Sequence, residues 1–534
     1  MIFFKKKFPH PSFFSSTLFW GTLFLFFLIA LLPLLFLFEM TFREWSPIHN
    51  PWDWTSRQQE LFFRTIELSF QTVFWTLLLG TIPAWFLAKY SFPGRTFFTG
   101  LLTLPLFIPP YIHAILWTDL FGRKGICNQG LESAGYSPWI ITGPNTDGAA
   151  WVLGLSYYPY VFWITLQALQ NLDGQIEKSF FLHFRPRQVF FKCYLPLISP
   201  ALLGSLLLVF ILASGNFGVT QVLLVQVYSL EIFTQYSVFL NSSNATLVSL
   251  PLIGMCFFLL GILLKTEKTA MLYSKQSTPA LLFSKGNYFL LGLVWIFFVL
   301  GVSFFLPLGM LLFQVSQNFP LQKALETGGA ELWTTFVMSF WTATGITGIS
   351  WILGNGLAQR KRTGQKKLPI ALNFLCLSSF VFPGILLATG MTRFWIRWDA
   401  VYLSVLILIF AAIARFAPFG IHIAERLFLR LSKNSQDAAL LYGGPKLLRQ
   451  FSWRMLAQDF GALWILSYAF AFGEIDASIL VKNPQHIPIA PTILSLLHFG
   501  HPEIISVLIF LSIVLGMIPV FLYFVWTESP LNLY

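Results

Sequence analysis

The segment IEKSFFLHFRPRQVFFKCYLP, from Ile176 to Pro196, lies between two long apolar runs in a chain that contains few charges elsewhere. It holds one acidic residue, several basic residues, and prolines in its middle and at its end. A plain connector would need roughly 4 to 8 residues, so this first loop is too long and too patterned for that role. We predict a short helix, a break, and a basic-aromatic helix that enters the next apolar run.

The composition indicates a membrane protein. Of its 534 residues, 56% are hydrophobic and 10% are charged, whereas soluble domains carry about 25% charged residues. Apolar runs near the length that crosses a hydrocarbon core of about 30 Å recur along the chain. We predict an all-α transmembrane bundle of about twelve helices, since a barrel would show short alternating segments. The predicted spans are residues 12–39, 66–88, 97–119, 149–170, 197–214, 246–264, 287–314, 334–358, 368–391, 400–422, 456–473 and 504–526.

The net charge of +12 orients the chain and does not indicate a nucleic-acid partner. With Lys5, Lys6 and Lys7 inside, roughly 24 of the 34 Lys and Arg residues lie on the cytoplasmic side and about 9 lie outside. This asymmetry follows the positive-inside rule. We therefore expect cytoplasmic termini, and a first span that is retained because no small-residue cleavage site follows it.

The chain contains an internal repeat with offsets of about 258 to 274 residues. An even number of spans in each half makes the two six-helix halves parallel. We predict an N-terminal helix and external loop (1–61), a first permease-like domain (62–266), a linker with the seventh span (267–330) and a second such domain (331–526). The repeated pairs are Leu68–Thr72 with Met338–Thr342, Phe107–Pro110 with Val381–Gly384, and Tyr158–Tyr160 with Ala417–Phe419.

The first loop has a counterpart, the second loop, in QDAALLYGGPKLLRQFSWRML from Gln436 to Leu456. Asp437 follows Glu177 by 260 residues. We place the break of the first loop at Pro186 and that of the second at Gly443 to Pro445, since proline and glycine end helices. Each loop could rest on lipid headgroups as an amphipathic helix, or the pair could form a docking surface for a partner.

These loops resemble the EAA motif of permease subunits of binding-protein-dependent ABC importers. That motif has an acidic residue, two alanines, a glycine six positions after the acid, and a Leu-Pro ending. The second loop departs from it at Leu456, which replaces the proline, and in the first loop Lys178 and Ser179 replace the alanines. His183 stands where the motif has glycine. The matching positions are Glu177, Leu195 and Pro196 in the first loop, and Asp437, Ala438, Ala439 and Gly443, followed by Gly444, in the second.

Other segments resemble the duplicated iron(III) permeases, over nearly the whole chain beyond the first span. The resemblance implies a subunit of a bacterial inner-membrane importer, with iron(III) as the expected cargo and thiamine as the alternative. It also implies two ATPase subunits docked on the loops, an extracytoplasmic solute-binding protein, and ATP and Mg bound by the ATPases rather than by this chain. The segments are Leu106–Tyr111 with Ala114 and Trp117, Gly215–Gly218, Ala414–Phe416, and Gly473 with Glu474.

The chain lacks the motifs of other functional classes. No GxxxxGK[ST] loop occurs, so we expect ATP hydrolysis on another subunit. No nucleophile–base–acid set indicates an enzyme, and no Cys/His spacing indicates a metal site. An ion-coupled secondary transporter stays an alternative, but it needs acidic relays within the membrane. Here Glu67, Asp119 and Glu474 lie near predicted span ends.

Charged and helix-breaking residues inside spans are the candidates for a path or gate. Arg415 could line a path or clamp helices, or it could snorkel or bond to helix carbonyls. Glu474, Asp476 and Asn216 could form a polar vestibule at the outer ends of equivalent spans, or could be ordinary helix-end residues. Prolines at membrane depth indicate a buried kink that lines a cavity. The predicted path or gate residues are Pro109, Pro110, Tyr111, Asn216, Phe217, Gly218, Pro383, Arg415, Gly473 and Glu474.

Overall fold

The computed structural model describes residues 16–44, 55–143, 145–272, 289–365, 367–431 and 433–528. Helices form most of these residues. In the first part they are Ser16–Phe26, Phe27–Leu31 (π), Leu32–Glu44, Ser56–Lys89, Arg95–Leu101, Leu104–Phe107 (3-10), Pro110–Phe121, Ile126–Ser133, Asp147–Gln170, Gly174–His183, Pro186–Val189, Phe190–Tyr194 (π), Leu195–Ser214, Gly218–Val222, Tyr228–Ser237 and Ser242–Leu272. In the second part they are Phe289–Leu300, Gly301–Phe305 (π), Leu306–Gln317, Leu321–Arg362, Lys367–Val381, Gly384–Trp395, Asp399–Tyr402, Leu406–Arg430, Lys433–Phe472, Ser478–Val481, Ile489–Phe499 and Pro502–Glu528.

The prediction of an all-α membrane bundle with about twelve spans is confirmed. Within the described residues, nine helices are long and apolar enough to cross a membrane, and two bent helix pairs raise the number to eleven. The remaining predicted span is helix Asp147–Gln170, which is 24 residues long and so long enough to cross. Its most apolar stretch falls short of those of the other spans, and most of its side chains are buried. Surrounding protein, rather than lipid, is its main environment.

The same helix pair packs closely in each half. In the first half, the second span (Ser56–Lys89) packs against the fourth (Asp147–Gln170), and in the second half the eighth (Leu321–Arg362) packs against the tenth (Leu406–Arg430). A glycine permits each close approach. A Cβ atom on Gly80 would lie 2.8 Å from the carbonyl oxygen of Tyr158, and one on Gly354 would lie 2.8 Å from the backbone nitrogen of Glu425.

The first span of each half packs against the other half. The first span (Ser16–Glu44) shares a hydrophobic core with the eighth and tenth spans, and the Arg360 guanidinium lies 3.7 Å from the centre of the Phe19 ring. The seventh span (Phe289–Gln317) packs on the second, third and fourth spans. There, the rings of Phe289 and Phe86 lie 5.4 Å apart. We call the first and seventh spans the crossed spans.

The third and ninth spans are broken at equivalent places. Arg95–Phe107 and Pro110–Ser133 meet at 91°, and Leu368–Val381 and Gly384–Trp395 meet at 96°. Each break falls at a proline, Pro109 or Pro383, whose backbone is extended. Because proline cannot continue the hydrogen-bond ladder of the preceding helix, the chain turns there. The two turns lie where the halves meet.

The domain boundaries stay predictions. The predicted N-terminal region 1–61 includes residues 1–15 and 45–54, which lie outside the described residues, and the predicted linker includes residues 273–288, which also lie outside them.

Candidate functional site

Arg415, inside the tenth span, is held by two carboxylates of the second half. Its Nη1 donates to Glu474 Oε1 and its Nη2 donates to Asp476 Oδ2, each at 2.6 Å. Arg415, Glu474 and Asp476 are buried, with no more than 9% of any of them exposed. The guanidinium therefore clamps the tenth span to the segment after the eleventh, and it does not reach the headgroups. We call these three side chains the ionic cluster.

The ionic cluster also joins the second half to the first. Asp476 Oδ1 accepts hydrogen bonds from the backbone N–H groups of Phe217 and Gly218, both at 3.1 Å. These N–H groups open a short helix, where a negative charge is favoured. Gly218 fits closely, since a Cβ atom on it would lie 2.5 Å from Ile475 Cγ2. The carboxylates of Glu474 and Asp476, offered above as members of a polar vestibule, are thus buried and bonded to Arg415.

The two halves contact each other reciprocally around the cluster. A Cβ atom on Gly473 would lie 3.5 Å from Pro109 Cβ, and one on Gly215 would lie 3.9 Å from Pro383 Cα. Gly215 and Gly473 are equivalent in the repeat, as are Pro109 and Pro383. Each half thus presents its glycine to the broken span of the other, as in an isologous interface. The two halves are therefore related by an approximate two-fold axis at this site.

Equivalent polar residues cap equivalent turns. Asn216 Oδ1 accepts from the backbone N–H of Val219 at 3.0 Å, and Glu474 Oε1 accepts from that of Ala477 at 2.6 Å. Each acceptor lies three residues before its donor and 258 residues separate Asn216 from Glu474. The halves therefore share this turn, but only the second half places a carboxylate in it.

A small cavity of about 60 Å³ lies beside the ionic cluster. This is room for about four water molecules. Its polar lining includes the hydroxyl-bearing residues Tyr111, Ser156, Tyr157 and Tyr160. The Tyr157 hydroxyl accepts a hydrogen bond from Asn216 Nδ2 at 3.2 Å. Oxygen atoms thus dominate the polar surface of the cavity.

Stacked aromatic rings form one wall of the cavity and cross between the halves. The ring of Tyr160 lies 5.7 Å from that of Phe470 at an interplanar angle of 7°. Phe470 in turn stacks on Phe416, with centroids 5.0 Å apart and an angle of 10°. Because Tyr160 belongs to the first half and the two phenylalanines to the second, this stack is a second contact across the interface.

The residues predicted for a path or gate lie together at this interface, although not all through their side chains. Phe217 contributes its backbone N–H, while its ring packs 4.6 Å from Phe233 inside the first half. Pro383 lies at the bend of the ninth span, next to Gly384. A Cβ atom on Gly384 would contact Arg415 Nη1 and lie 2.8 Å from Asp476 Cβ, so glycine makes room for the guanidinium.

Sequence reasoning missed Gly384, Tyr157 and Tyr160 as members of the site. A signal existed for Gly384, since it occupies the position that Pro110 holds in the first half. Tyr160 ends the repeated segment Tyr158–Tyr160, so the repeat was its signal, whereas Tyr157 precedes that segment and carried none.

The first loop folds as a helix, a break and a second helix. Helix Gly174–His183 ends at Phe184, whose backbone is extended with φ −131° and ψ 147°. Pro186 begins the next helix, where proline is favoured, so the break lies two residues earlier than predicted. Leu195 opens the following span helix, with Pro196 in its first turn.

The acidic residue of the first loop points into the protein. Glu177 forms an ion pair with Lys89, the last residue of the second span, and no more than 1% of either side chain is exposed. The Lys89 ammonium also lies 4.6 Å from the centre of the Tyr194 ring, and Trp85 packs on Tyr194 with centroids 4.6 Å apart. The end of the second span therefore holds both ends of the first loop.

The second loop breaks at the equivalent place. Gly444, 260 residues after Phe184, has φ 64° and ψ −161°, a backbone conformation that favours glycine. Both loops expose a large apolar residue two positions before the break, Leu182 at 82% and Tyr442 at 89%. The backbone of Asp437, Ala438 and Ala439 is helical, and their side chains lie outside the part that the structure describes.

Comparison with known proteins places the chain in a family. Residues 76–266 match the family described as binding-protein-dependent transport system inner membrane component. The molybdenum transport system permease protein ModB of Haemophilus influenzae is 30% identical over 159 residues, which cover 29% of this chain and 67% of that protein. The chain belongs to this family of permeases.

Two further relatives of the permease differ in their named substrates. The Fe(3+)-transport system permease protein FbpB 2 of Haemophilus influenzae is 28% identical over 204 residues, 38% of this chain and 37% of that protein. The sulfate transport system permease protein CysT of Escherichia coli is 28% identical over 200 residues, 36% of this chain and 68% of that protein. The permease thus spans little more than a third of the iron relative and about two thirds of the others.

The matched region of the permease, residues 76–266, contains the first loop and the first-half side of the interface. The ionic cluster lies outside that region, in the second half. The internal repeat connects the two, because Gly473 and Glu474 correspond to Gly215 and Asn216.

Proposed function

We propose that the chain is the membrane-spanning permease subunit of an ATP-driven ABC importer, with both permease halves on one polypeptide. A separate extracytoplasmic binding protein delivers the cargo, and two ATPase subunits dock on the first and second loops. The observation that carries the proposal is the interface at the ionic cluster. There, the two broken spans, equivalent glycines of both halves and a polar cavity meet at one place.

The loops are the points where the ATPases act. Both present an exposed apolar residue at the same position, Leu182 or Tyr442, which suits a groove on a partner. Movement of helix Gly174–His183 is passed to the second span through the buried pair of Glu177 and Lys89. In the second half, Lys361 at the end of the eighth span pairs instead with Glu425 of the tenth span.

The ionic cluster forms the closed gate. Among the described residues, the hydrogen bonds of Asp476 to the first half come from the N–H groups of Phe217 and Gly218, so separation of the halves breaks these two bonds, in addition to the aromatic stack, while Arg415 stays paired. Hydrogen bonds to charged groups contribute about 1.5–3 kcal/mol each. ATP-driven closing of the two ATPases can supply that energy by rocking one half against the other and exposing the cavity to alternate sides.

Iron(III) or an iron(III) complex is the proposed cargo. The cluster combines one guanidinium with two carboxylates, so its net charge is negative, and tyrosine hydroxyls surround it. Hard cations prefer such oxygen donors. An oxyanion such as molybdate or sulfate would instead be repelled by Glu474 and Asp476. The molybdenum and sulfate relatives nevertheless make an oxyanion the second candidate, and thiamine the third.

Co-purification tests the class. The tagged chain would be extracted from its native membranes in a mild detergent, and its companions identified by mass spectrometry. A P-loop ATPase at two copies per chain is the expected result. A chain that arrives alone while its neighbouring genes are expressed would favour the secondary transporter.

Direct uptake of labelled substrates tests the cargo. Cells that depend on this permease would be supplied with radioactive iron(III), molybdate or sulfate, with a strain lacking the gene as the control. We expect gene-dependent uptake of iron only. Gene-dependent uptake of an oxyanion would refute the cargo assignment while leaving the importer assignment intact.

A further inference from the structure

A second cavity, of about 650 Å³, opens on the outer side of the second and fourth spans. Its volume is within the range of sites that bind small molecules. Two polar residues and two tryptophans form its inner wall. Gln71 and Trp75 lie one turn apart on the second span, and Asp147 and Trp151 lie one turn apart on the fourth. Side chains four residues apart share a helix face.

The two spans align these residues in two layers. Gln71 Nε2 donates to Asp147 Oδ1 at 2.9 Å, which forms the polar layer. Four residues deeper on each helix, the rings of Trp75 and Trp151 lie 4.8 Å apart at 82°, which forms the aromatic layer. Gly154 allows the spans to approach here, since a Cβ atom on it would lie 2.6 Å from Trp75 Cβ.

The cavity lies at one boundary of the membrane. From Gln71 to Lys89, at the other end of the same helix, is 18 residues, or about 27 Å at 1.5 Å per residue. This is close to the hydrocarbon thickness of about 30 Å. The cavity therefore lies at the boundary opposite to the first loop. Phe70 and Phe74, on the same face, are more than half exposed, as expected for side chains that contact acyl chains.

Polar groups in the cavity have unused hydrogen-bonding capacity. Trp151 is 9% exposed, and its indole Nε1 is buried with no acceptor among the described residues. The buried Oε1 of Gln71 has no donor among them either. Asp147 is exposed and adds a carboxylate. Buried polar groups of this kind normally have partners. The polar layer of the wall therefore offers two hydrogen-bond acceptors, and the aromatic layer offers one donor.

The outer wall of the cavity is held in place before any ligand arrives. Trp139, in the loop before the fourth span, exchanges two backbone hydrogen bonds with the Asn128 side chain, at 3.0 and 2.9 Å. Its ring packs 6.4 Å from that of Trp117. A rigid aromatic wall of this kind lowers the ordering cost of binding.

We propose that this cavity binds a phospholipid whose headgroup carries a primary ammonium. The ammonium donates to Asp147 and Gln71 Oε1 and lies against the tryptophan rings, where cations are attracted. The phosphate, one layer deeper, accepts from Trp151 Nε1. The acyl chains follow Phe70 and Phe74 into the bilayer. The order of donor and acceptors along the wall matches the order of groups in such a lipid.

The second half offers an internal comparison. Through the repeat offset of 270, Gln71 corresponds to Trp341, Phe74 to Thr344 and Trp75 to Gly345. The repeat therefore does not reproduce this combination of acceptors and perpendicular tryptophans. Asp399 is nevertheless an exposed acid at the start of the short helix before the tenth span, as Asp147 is at the start of the fourth. It provides a control with the same charge change.

Native mass spectrometry of the purified full-length chain tests the site. The delipidated protein would be titrated with phosphatidylethanolamine, phosphatidylcholine or phosphatidylglycerol of identical acyl chains. Asp147→Asn removes the charge and keeps an acceptor for Gln71, Trp151→Phe removes only the indole N–H, and Asp399→Asn is the control. We expect the ethanolamine lipid to bind most tightly, and each site variant to lose about tenfold in affinity for it, equivalent to about 1.4 kcal/mol. The control should bind like the parent.

Three outcomes would overturn the proposal. Equal retention of phosphatidylcholine would show that the ammonium protons do not contribute to binding. Preferred retention of phosphatidylglycerol would show that the Asp147 carboxylate does not select a cationic headgroup. Unchanged binding by both site variants, each monodisperse and with parental helix content, would place the lipid elsewhere. None of these results depends on the cargo or on the ATPase partners.

Discussion

Replacing Lys89 by methionine should release the first loop from the second span. Lys89 and Glu177 form an ion pair that is almost completely buried, and the ammonium also lies over the Tyr194 ring. Methionine retains most of the length and the apolar contacts of lysine, but it leaves the Glu177 carboxylate buried without the lysine charge. That carboxylate can regain solvent only if helix Gly174–His183 moves away from the second span.

The size of the expected effect follows from the burial of the Lys89–Glu177 ion pair. Removing one partner of a buried ion pair costs about 3–5 kcal/mol. Because about 1.4 kcal/mol is a factor of ten in an equilibrium constant, the opening equilibrium of helix Gly174–His183 should rise by two orders of magnitude or more. The double variant Lys89→Met/Glu177→Leu replaces both charges by apolar groups, which is often neutral or stabilising. It should recover most of the lost protection.

Amide hydrogen exchange measures this opening directly. The full-length protein in lipid nanodiscs would be labelled over time, and peptides from residues 174–194 analysed by mass spectrometry. Lys361→Met is the matched control, since Lys361 ends its span in the same way but pairs with Glu425 of the tenth span. It should increase exchange near the Glu425 end of the tenth span and leave the first loop unchanged.

Two results would refute the reasoning. First-loop exchange in Lys89→Met that stays within about twofold of the parent, or roughly 0.4 kcal/mol, would mean that the pair does not hold the loop. If the first loop of the double variant exchanged its amide hydrogens as fast as that of Lys89→Met, the shape of the lysine side chain would matter more than its charge.

Three further predictions concern uptake by membranes that contain the assembled importer. Arg415→Met leaves Glu474 and Asp476 buried without their cation, so it should abolish uptake and lower stability by about 3–5 kcal/mol; parental uptake and melting temperature would contradict the clamping role. Gly384→Ala puts a Cβ atom against Arg415 Nη1 and should reduce uptake, whereas Gly348→Ala, with nothing within 4 Å, should not; equal effects would argue against displacement of the guanidinium. Asp437→Lys should uncouple ATP hydrolysis from uptake while the chain stays in the membrane; unchanged uptake would count against docking at the second loop.

The spans could be predicted because lipid imposes a simple requirement on the sequence. A helix that faces hydrocarbon needs about 20 apolar residues, and runs near that length marked all twelve predicted spans. Helix Asp147–Gln170 shows the limit of the rule. Protein covers most of it, so it can carry polar groups such as Ser156 and Tyr158, and its apolar run, although sufficient to predict a span, is weaker than those of the other eleven.

The pairing of charges could not be predicted because it depends on tertiary geometry. Lys89 follows a predicted span and looks like an ordinary residue of the positive-inside pattern, yet it is one of the most buried residues of the molecule. Asp476 was considered as a vestibule residue because it follows a span, whereas the fold turns it towards Arg415 and the first half. In each case, the sequence predicts the level of the charge in the membrane but not the direction of its side chain.

The packing partners of the crossed spans likewise could not be predicted from the local sequence. A lipid-facing helix and a helix covered by a distant span have similar apolar faces. The first span pairs with helices that begin at Leu321 and Leu406, and no periodicity within residues 16–44 encodes that choice. Only the complete fold shows which surface covers it.

This arrangement has a consequence for biogenesis. The first span ends at Glu44, but the eighth span that covers it is translated roughly 300 residues later, which takes about 15–60 s at about 5–20 residues per second. Until then, Phe19 and Leu23 must face lipid or the insertion machinery. The first part of the seventh span meets no such delay, because the second, third and fourth spans already lie in the membrane, whereas its last part also packs on the later twelfth span. A gene divided between the sixth and seventh spans would therefore yield two polypeptides that mature only by exchanging their first helices.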